Sequence, residues 1–176
     1  MATEITIDAD SDTPIPMASA IAYAHTRALE DEAAFRRIDV ALCRKIADMA
    51  AMAPRDPKPG HPLVHDQGAW LASLTEDKPD ELQSLDEMRS ADCGTSACLA
   101  GFTALTCAPE HTRWNRRTDS LILPDGTEQP IWLYAQEQLG LSNAQQDYVF
   151  QCLQNGEAIR RLRLIADKAE AVQMQR

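Results

Sequence analysis

The residues able to do chemistry gather in the middle of the chain. Cys93-Gly94-Thr95-Ser96 stands at the head of an apolar segment, and His111, His61 and His65 are the nearest histidines in sequence. A helix beginning near Thr95 leaves its first backbone N–H groups without intrahelical partners. Gly94 lets a ligand approach, and the two hydroxyls add donors. Such a helix start binds anions and lowers the pKa of a neighbouring thiol. Cys93, Gly94, Thr95 and Ser96 are therefore the candidate ligand-binding residues. Cys93 as nucleophile with His111 as base is the enzyme alternative, although no histidine sits in a recognisable protease or transferase arrangement. The same four residues also read as a capped, buried helix start in which the hydroxyls satisfy orphan N–H groups.

A zinc-stabilised module is a second alternative. Cys93, Cys98, Cys107 and His111 supply four soft ligands. Structural zinc sites show ligand pairs two to four residues apart, and the pair Cys93-x4-Cys98 follows that pattern only loosely. On one continuous helix Cys98 and Cys107 would stand about 13.5 Å apart along the axis, too far to share an ion. His61-x3-His65 with Asp66 has chelating spacing but lacks the glutamate of a HExxH pattern. No metal and no cofactor is expected. Cys43 and Cys152 fall among helical apolar positions and read as core.

The third candidate is charge segregation. Residues 75–92 hold seven acids against Lys78 and Arg89, a net charge of −5. Arg113, Arg116 and Arg117 surround Trp114. Tryptophan flanked by arginine suits a protein-binding hot spot, so Arg113, Trp114, Arg116 and Arg117 are the candidate protein-binding residues. Self-pairing of these arginines with the acidic stretch is the plainer reading.

The elements that must position these groups are mostly helical by pattern. Residues 1–16 read as a flexible acidic arm and residues 17–176 as a single helical domain. Met17–Leu29 is Ala-rich and suits a helix. Phe35, Ile38, Leu42, Ile46, Met49 and Ala53 recur at helical steps. PRDPKPGHP (54–62) is a loop, and Pro62 opens a helix through Leu63, Val64, Trp70, Leu71 and Leu74. Leu82, Leu85 and Met88 make a turn or two of helix. The apolar segment predicts a central helix at about 95–107, ended by Pro109, with Ala97, Gly101 and Ala104 forming a face that another helix can approach closely. Ser120–Leu123, Pro124-Asp125-Gly126 and Thr127–Gln129 predict a β-hairpin at about 120–129. Pro130 opens a helix closed by Gly140 at C′. Ser142 and Gln145 form a capping box. Asn155-Gly156 interrupts, and Ile159, Leu162, Ile165, Ala169 and Val172 line a last helix. The expected fold is mainly α, an irregular helical bundle around the central helix.

Composition bounds the rest. The chain has 176 residues, 44% hydrophobic and 25% charged, with a net charge of −10. That acidity argues against a nucleic-acid partner. The acidic N-terminus has no signal-peptide pattern, and the longest uncharged stretch, Cys93–Pro109, carries too many polar residues for a membrane span. Five cysteines without a secretion signal point to a reducing cytoplasm. Amphipathic faces near both ends leave room for a homodimer, with no heptad run to decide it.

The stretch Cys93-Gly94-Thr95-Ser96-Ala97-Cys98-Leu99-Ala100-Gly101-Phe102, followed by Gly140-Leu141-Ser142 and Tyr148-Val149-Phe150, resembles small proteins of phages, plasmids and the bacteria that carry them. That family has a Cys-Gly-Thr-x-x-Cys-x-Ala-Gly motif and no assigned activity. The resemblance spans about residues 90–165 and implies a mobile-element setting, not a reaction. Together these readings predict a non-enzymatic cytoplasmic protein that binds a host or phage protein or a small ligand.

Overall fold

The computed structural model describes residues 26–53, 63–73, 82–89 and 95–175. The expected arm at 1–16, the loop at 54–62, and Cys93, Gly94 and His61 lie outside the described residues. Helix α1 covers residues 26–30 in the described part. Then come α2 (Glu32–Phe35), α3 (Val40–Met52), β1 (Leu63–His65), β2 (Leu71–Ser73), β3 (Leu82–Ser84), α4 (Leu85–Arg89), β4 (Thr95–Ala97) and α5 (Leu99–Cys107). The chain continues through β5 (Arg113–Asn115), β6 (Ser120–Ile122), β7 (Glu128–Pro130), α6 (Ile131–Leu139), α7 (Asn143–Phe150) and α8 (Asn155–Gln173).

The mainly α irregular helical bundle expected from the sequence is overturned, because the fold is mixed α/β with two sheets. One has the strand order β1-β4-β2 and the other β3-β5-β6-β7. Over residues 63–73 the helix read through Leu63, Val64, Trp70, Leu71 and Leu74 is instead β1, a turn and β2, and Leu74 lies outside the described residues. Both strands flank β4, β1 in parallel and β2 antiparallel. The first three residues of the expected central helix, Thr95–Ala97, are this central strand. Short apolar runs look alike whether they end as buried strand or buried helix, and strands of three residues leave no room for alternation to show.

The helix proper, α5, is buried from Leu99 through Leu105 without interruption. A helix enclosed on every side shows no apolar stripe. Gly101 is needed here, but not for helix packing: a Cβ on it would stand 2.1 Å from the Trp70 carbonyl oxygen and 2.9 Å from the Ala97 Cβ. The small face fits the turn between β1 and β2.

The hairpin expected at about 120–129 forms as β6 and β7, with Gly126 at φ 86°. It extends into a four-stranded sheet through β5 and β3. The later helices follow the sequence closely. Gly140 is left-handed at φ 71°, Ser142 Oγ accepts from the Gln145 N–H, and the Gln145 side chain accepts from the Ser142 N–H. Asn155-Gly156 begins α8 rather than separating helices. Helix α3 is capped by Asp39, whose Oδ1 takes the Leu42 N–H at 2.8 Å, and buries Cys43, Ile46, Ala47 and Ala50. These meet Ala158, Ile159, Leu162, Ile165 and Ala169 of α8 in one core.

Gly101→Ala separates helix propensity from packing. Alanine is worth about 1 kcal/mol to an isolated helix, but the Trp70 carbonyl blocks it here. A net loss of about 2 kcal/mol, read as a melting temperature lower by about 5 °C, is expected in thermal denaturation. An unchanged or higher melting temperature refutes the packing argument.

Candidate functional site

The structure separates the groups that the sequence drew together. Thr95 and Ser96 are interior residues of β4, and Thr95 Oγ1 donates to the Met88 carbonyl at 3.2 Å. They do not stand at a helix start. Helix α5 begins at Leu99, and its N-cap residue, Cys98, makes no side-chain capping bond. Cys98 is wholly buried, and desolvation pushes its thiol up to about 12 despite nearby backbone N–H groups. Burial overrides the helix field that lowers thiol pKa values at exposed helix ends.

Cys43 is likewise buried and raised to about 12, and Cys152 is buried too. His111, the base of the thiolate alternative, lies on the turn after α5 with φ 66° and its side chain 85% exposed. Its backbone N–H donates to Asp86 Oδ2 at 2.7 Å, and its Nδ1 lies 3.7 Å from the same carboxylate. Cys98 and Cys107 flank the opposite ends of α5, and among the described residues no three His, Cys, Asp or Glu side chains gather where one ion could be held.

The helix start is served instead by Gln67, a residue the sequence reading passes over. Gln67 Oε1 accepts from the Leu99 N–H at 3.2 Å. Its Nε2 donates to the Val149 and Phe150 carbonyls, at 3.4 and 3.3 Å, near the C-terminus of α7. Its backbone N–H donates to Asn155 Oδ1 at 2.8 Å, and Asn155 Nδ2 donates to the His65 carbonyl at 2.6 Å. One amide thus touches the ends of α5 and α7, and its backbone holds the start of α8.

His65 Nε2 also lies 3.2 Å from Gln67 Oε1. That oxygen only accepts, so the neutral imidazole carries its proton on Nε2. The ring packs edge-on against Phe102, with centroids 5.9 Å apart. Burial is the main force on its titration and lowers its pKa from the ordinary 6.5. This buried cluster acts as a structural clamp.

The arginine–tryptophan group is split by the two-residue period of a strand. Arg113 faces out, while Trp114 is 1% exposed and belongs to the core. Trp114 therefore cannot be a docking anchor. Among the described residues its Nε1 has no acceptor, and Oε1 of its cross-strand partner Gln83 has no donor. Arg113 opens β5 opposite Ile122, at the end of the strand away from the β5–β6 turn. Arg116 and Arg117 lie in the exposed turn, whose shape is set by the Arg117 N–H donating to Asn115 Oδ1 at 3.0 Å. Arg113 and Arg116 make no ion pair among the described residues. A buried tryptophan thus anchors a rigid hairpin that presents basic side chains to solvent.

Two measurements test the clamp. Gln67→Leu leaves the Leu99 N–H and two helix carbonyls without partners, and a loss of about 2–4 kcal/mol is expected in urea unfolding. A loss below about 0.5 kcal/mol refutes the role. The lowered His65 pKa means the unfolded chain binds this proton first. Stability should be full above pH 6.5 and fall as the pH drops below it. Urea midpoints at pH 7.5 and 5.5 should differ in the native chain, and the difference should shrink in His65→Gln. An equal difference in both removes His65 as its cause. No protein-family model, curated protein or solved structure matches the chain, so its function is read from this geometry.

Proposed function

We propose that the chain is a non-enzymatic binding protein of the cytoplasm, of the phage or mobile-element kind that its motif resembles. It docks on an acidic surface of a host or phage protein through Arg113, Arg116 and Arg117. The observation that carries the reading is the hairpin itself: three arginines within five residues on a strand and turn held by the buried Trp114. A fixed scaffold lowers the entropy lost when long side chains are immobilised on binding. Guanidinium groups suit bidentate pairing with carboxylates. The net charge of −10 makes this basic end a local exception, which orients encounter with an acidic partner. The opposed thiolate reading gains no support from Cys98, the buried thiol nearest to Cys93 in sequence. No described helix is long and apolar enough to cross a membrane.

The test is quantitative capture from a host extract by the native chain, by Arg113→Gln/Arg116→Gln/Arg117→Gln, and by Arg160→Gln as a control. A stoichiometric partner that is held by the native and control chains, lost by the triple variant and released by added salt is expected. Equal retention by the triple variant, or no stoichiometric partner for the native chain, refutes the proposal. Exposed substitutions of this kind should leave stability within about 0.5 kcal/mol, so misfolding does not confuse the outcome.

A further inference from the structure

The four-stranded sheet ends in one row of paired residues. Leu82 of β3 lies opposite Asn115 of β5, Asn115 opposite Ser120 of β6, and Ser120 opposite Pro130 of β7. Arg116 and Arg117 stand in the turn that leaves the middle of this row, between Asn115 and Ser120. Beyond Pro130 the chain enters α6, whose first residue is tied to the same turn. The Ile131 N–H donates to the Asp119 carbonyl at 2.9 Å. Trp132 is the next residue. Strand register and this bond therefore bring Leu82, the two turn arginines and Trp132 to one end of the sheet.

Two of these side chains are apolar and uncovered. Leu82 is 41% exposed and Trp132 36%. Every other Phe, Tyr and Trp among the described residues is buried or half-buried. A lone apolar residue at a surface is ordinary, but tryptophan beside guanidinium groups is the composition of interface anchors. The turn between the two apolar side chains is braced, since Thr118 Oγ1 donates to Glu128 Oε1 at 3.0 Å. Residues 113–119 hold three arginines against the one carboxylate of Asp119, so the turn is net basic. From Leu82 to Pro130 the row crosses three strand spacings, about 14 Å. An extended peptide advances about 3.3 Å per residue, so about four or five residues cover that span.

We propose that this end of the sheet binds an extended acidic segment of a partner protein, with two apolar side chains about four or five residues apart and acids between them. One apolar side chain packs on Trp132 and the other on Leu82, while the carboxylates pair with Arg116 and Arg117. The proposal rests on the arginine-docking reading above and names what is docked. Trp132 takes the anchor role that Trp114, being buried, cannot fill. Single-stranded nucleic acid also stacks on a tryptophan beside arginines, but it brings no aliphatic side chain for Leu82.

Selection of a displayed random peptide library on the full chain, followed by fluorescence polarisation with the recovered peptides, tests this. The recovered peptides should share acids flanked by apolar residues at the stated spacing. Each should lose at least ten-fold in affinity when its acids become amides or its apolar residues become serine. Trp132→Gln should weaken binding at least ten-fold, Leu82→Gln at least three-fold and Arg116→Gln/Arg117→Gln at least ten-fold, with Arg160→Gln unchanged. In the native chain, bound peptide should shield a tryptophan from acrylamide quenching, and the shielding should vanish in Trp132→Phe, a readout that does not depend on a destabilised variant. Recovery of no peptide, recovery of peptides without acids, or tighter binding of a single-stranded oligothymidylate overturns the proposal. So does a dimer of this chain that Trp132→Gln abolishes, because a second copy then covers the surface. Peptides that need the arginines but tolerate both Trp132→Gln and Leu82→Gln refute the apolar anchors and leave the arginine docking standing. Peptides that ignore the arginine variant refute both.

Discussion

The fold depends on one constraint: α5 is buried on every side, so its ends cannot be completed by water. A buried helix terminus must find protein partners for its free N–H and carbonyl groups. At the front end the Gln67 amide receives the Leu99 N–H. At the back end Arg89 donates from Nε to the Leu105 carbonyl and from Nη2 to the Ala108 carbonyl, at 2.7 and 2.6 Å. Arg89 is itself held by Asp86 at 2.6 Å, whose carboxyl is kept below its ordinary range, chiefly by the His111 N–H. Each end of the central rod is thus closed by a side chain from a distant part of the sequence. Gln67 belongs to the first sheet's turn and Arg89 to the helix beside the second sheet, so the two caps tie both sheets to one helix.

Around that rod the remaining helices hold by packing, with charge at the edges. Arg44 reaches from α3 to Glu170 and Asp167 of α8 at 2.7 and 2.9 Å, and Arg163 of α8 returns to Asp48 at 2.7 Å. These pairs are exposed and contribute little individually. Their use is registration, since they cross the α3–α8 seam in both directions. Arg161 of α8 is only partly exposed. It lies over the Tyr148 ring at 4.6 Å and donates to the Tyr148 carbonyl, joining α7 to α8.

What could be read from the sequence follows from how local its physics is. Gly140, Ser142 with Gln145, and the Pro124-Asp125-Gly126 turn each act within a few residues, and each stands where the pattern puts it. The α3 and α8 stripes are legible because one face of each meets solvent. The strands at Leu63–His65, Leu71–Ser73 and Thr95–Ala97 were not legible. They are three residues long, and their partners lie far along the chain. Gln67 carries no local signal at all, because its value comes from meeting helix ends 32 and 82 residues away. The arginines could be located but not their relation to Trp114, because a helical or loop reading leaves all of them on one surface, whereas a strand sends neighbours to opposite sides.

The placement of β4 between β1 and β2 bears on how a nascent chain acquires its shape. The two flanking strands are near neighbours in sequence, yet neither pairs with the other. A ribosome that has released only the first ninety residues has emitted both outer ribbons of a sheet whose middle is still inside the exit tunnel. Their native pairing waits until Thr95–Ala97 emerges between them. Synthesis therefore exposes a brief window of vulnerability to association, which closes when the rod behind that middle strand docks.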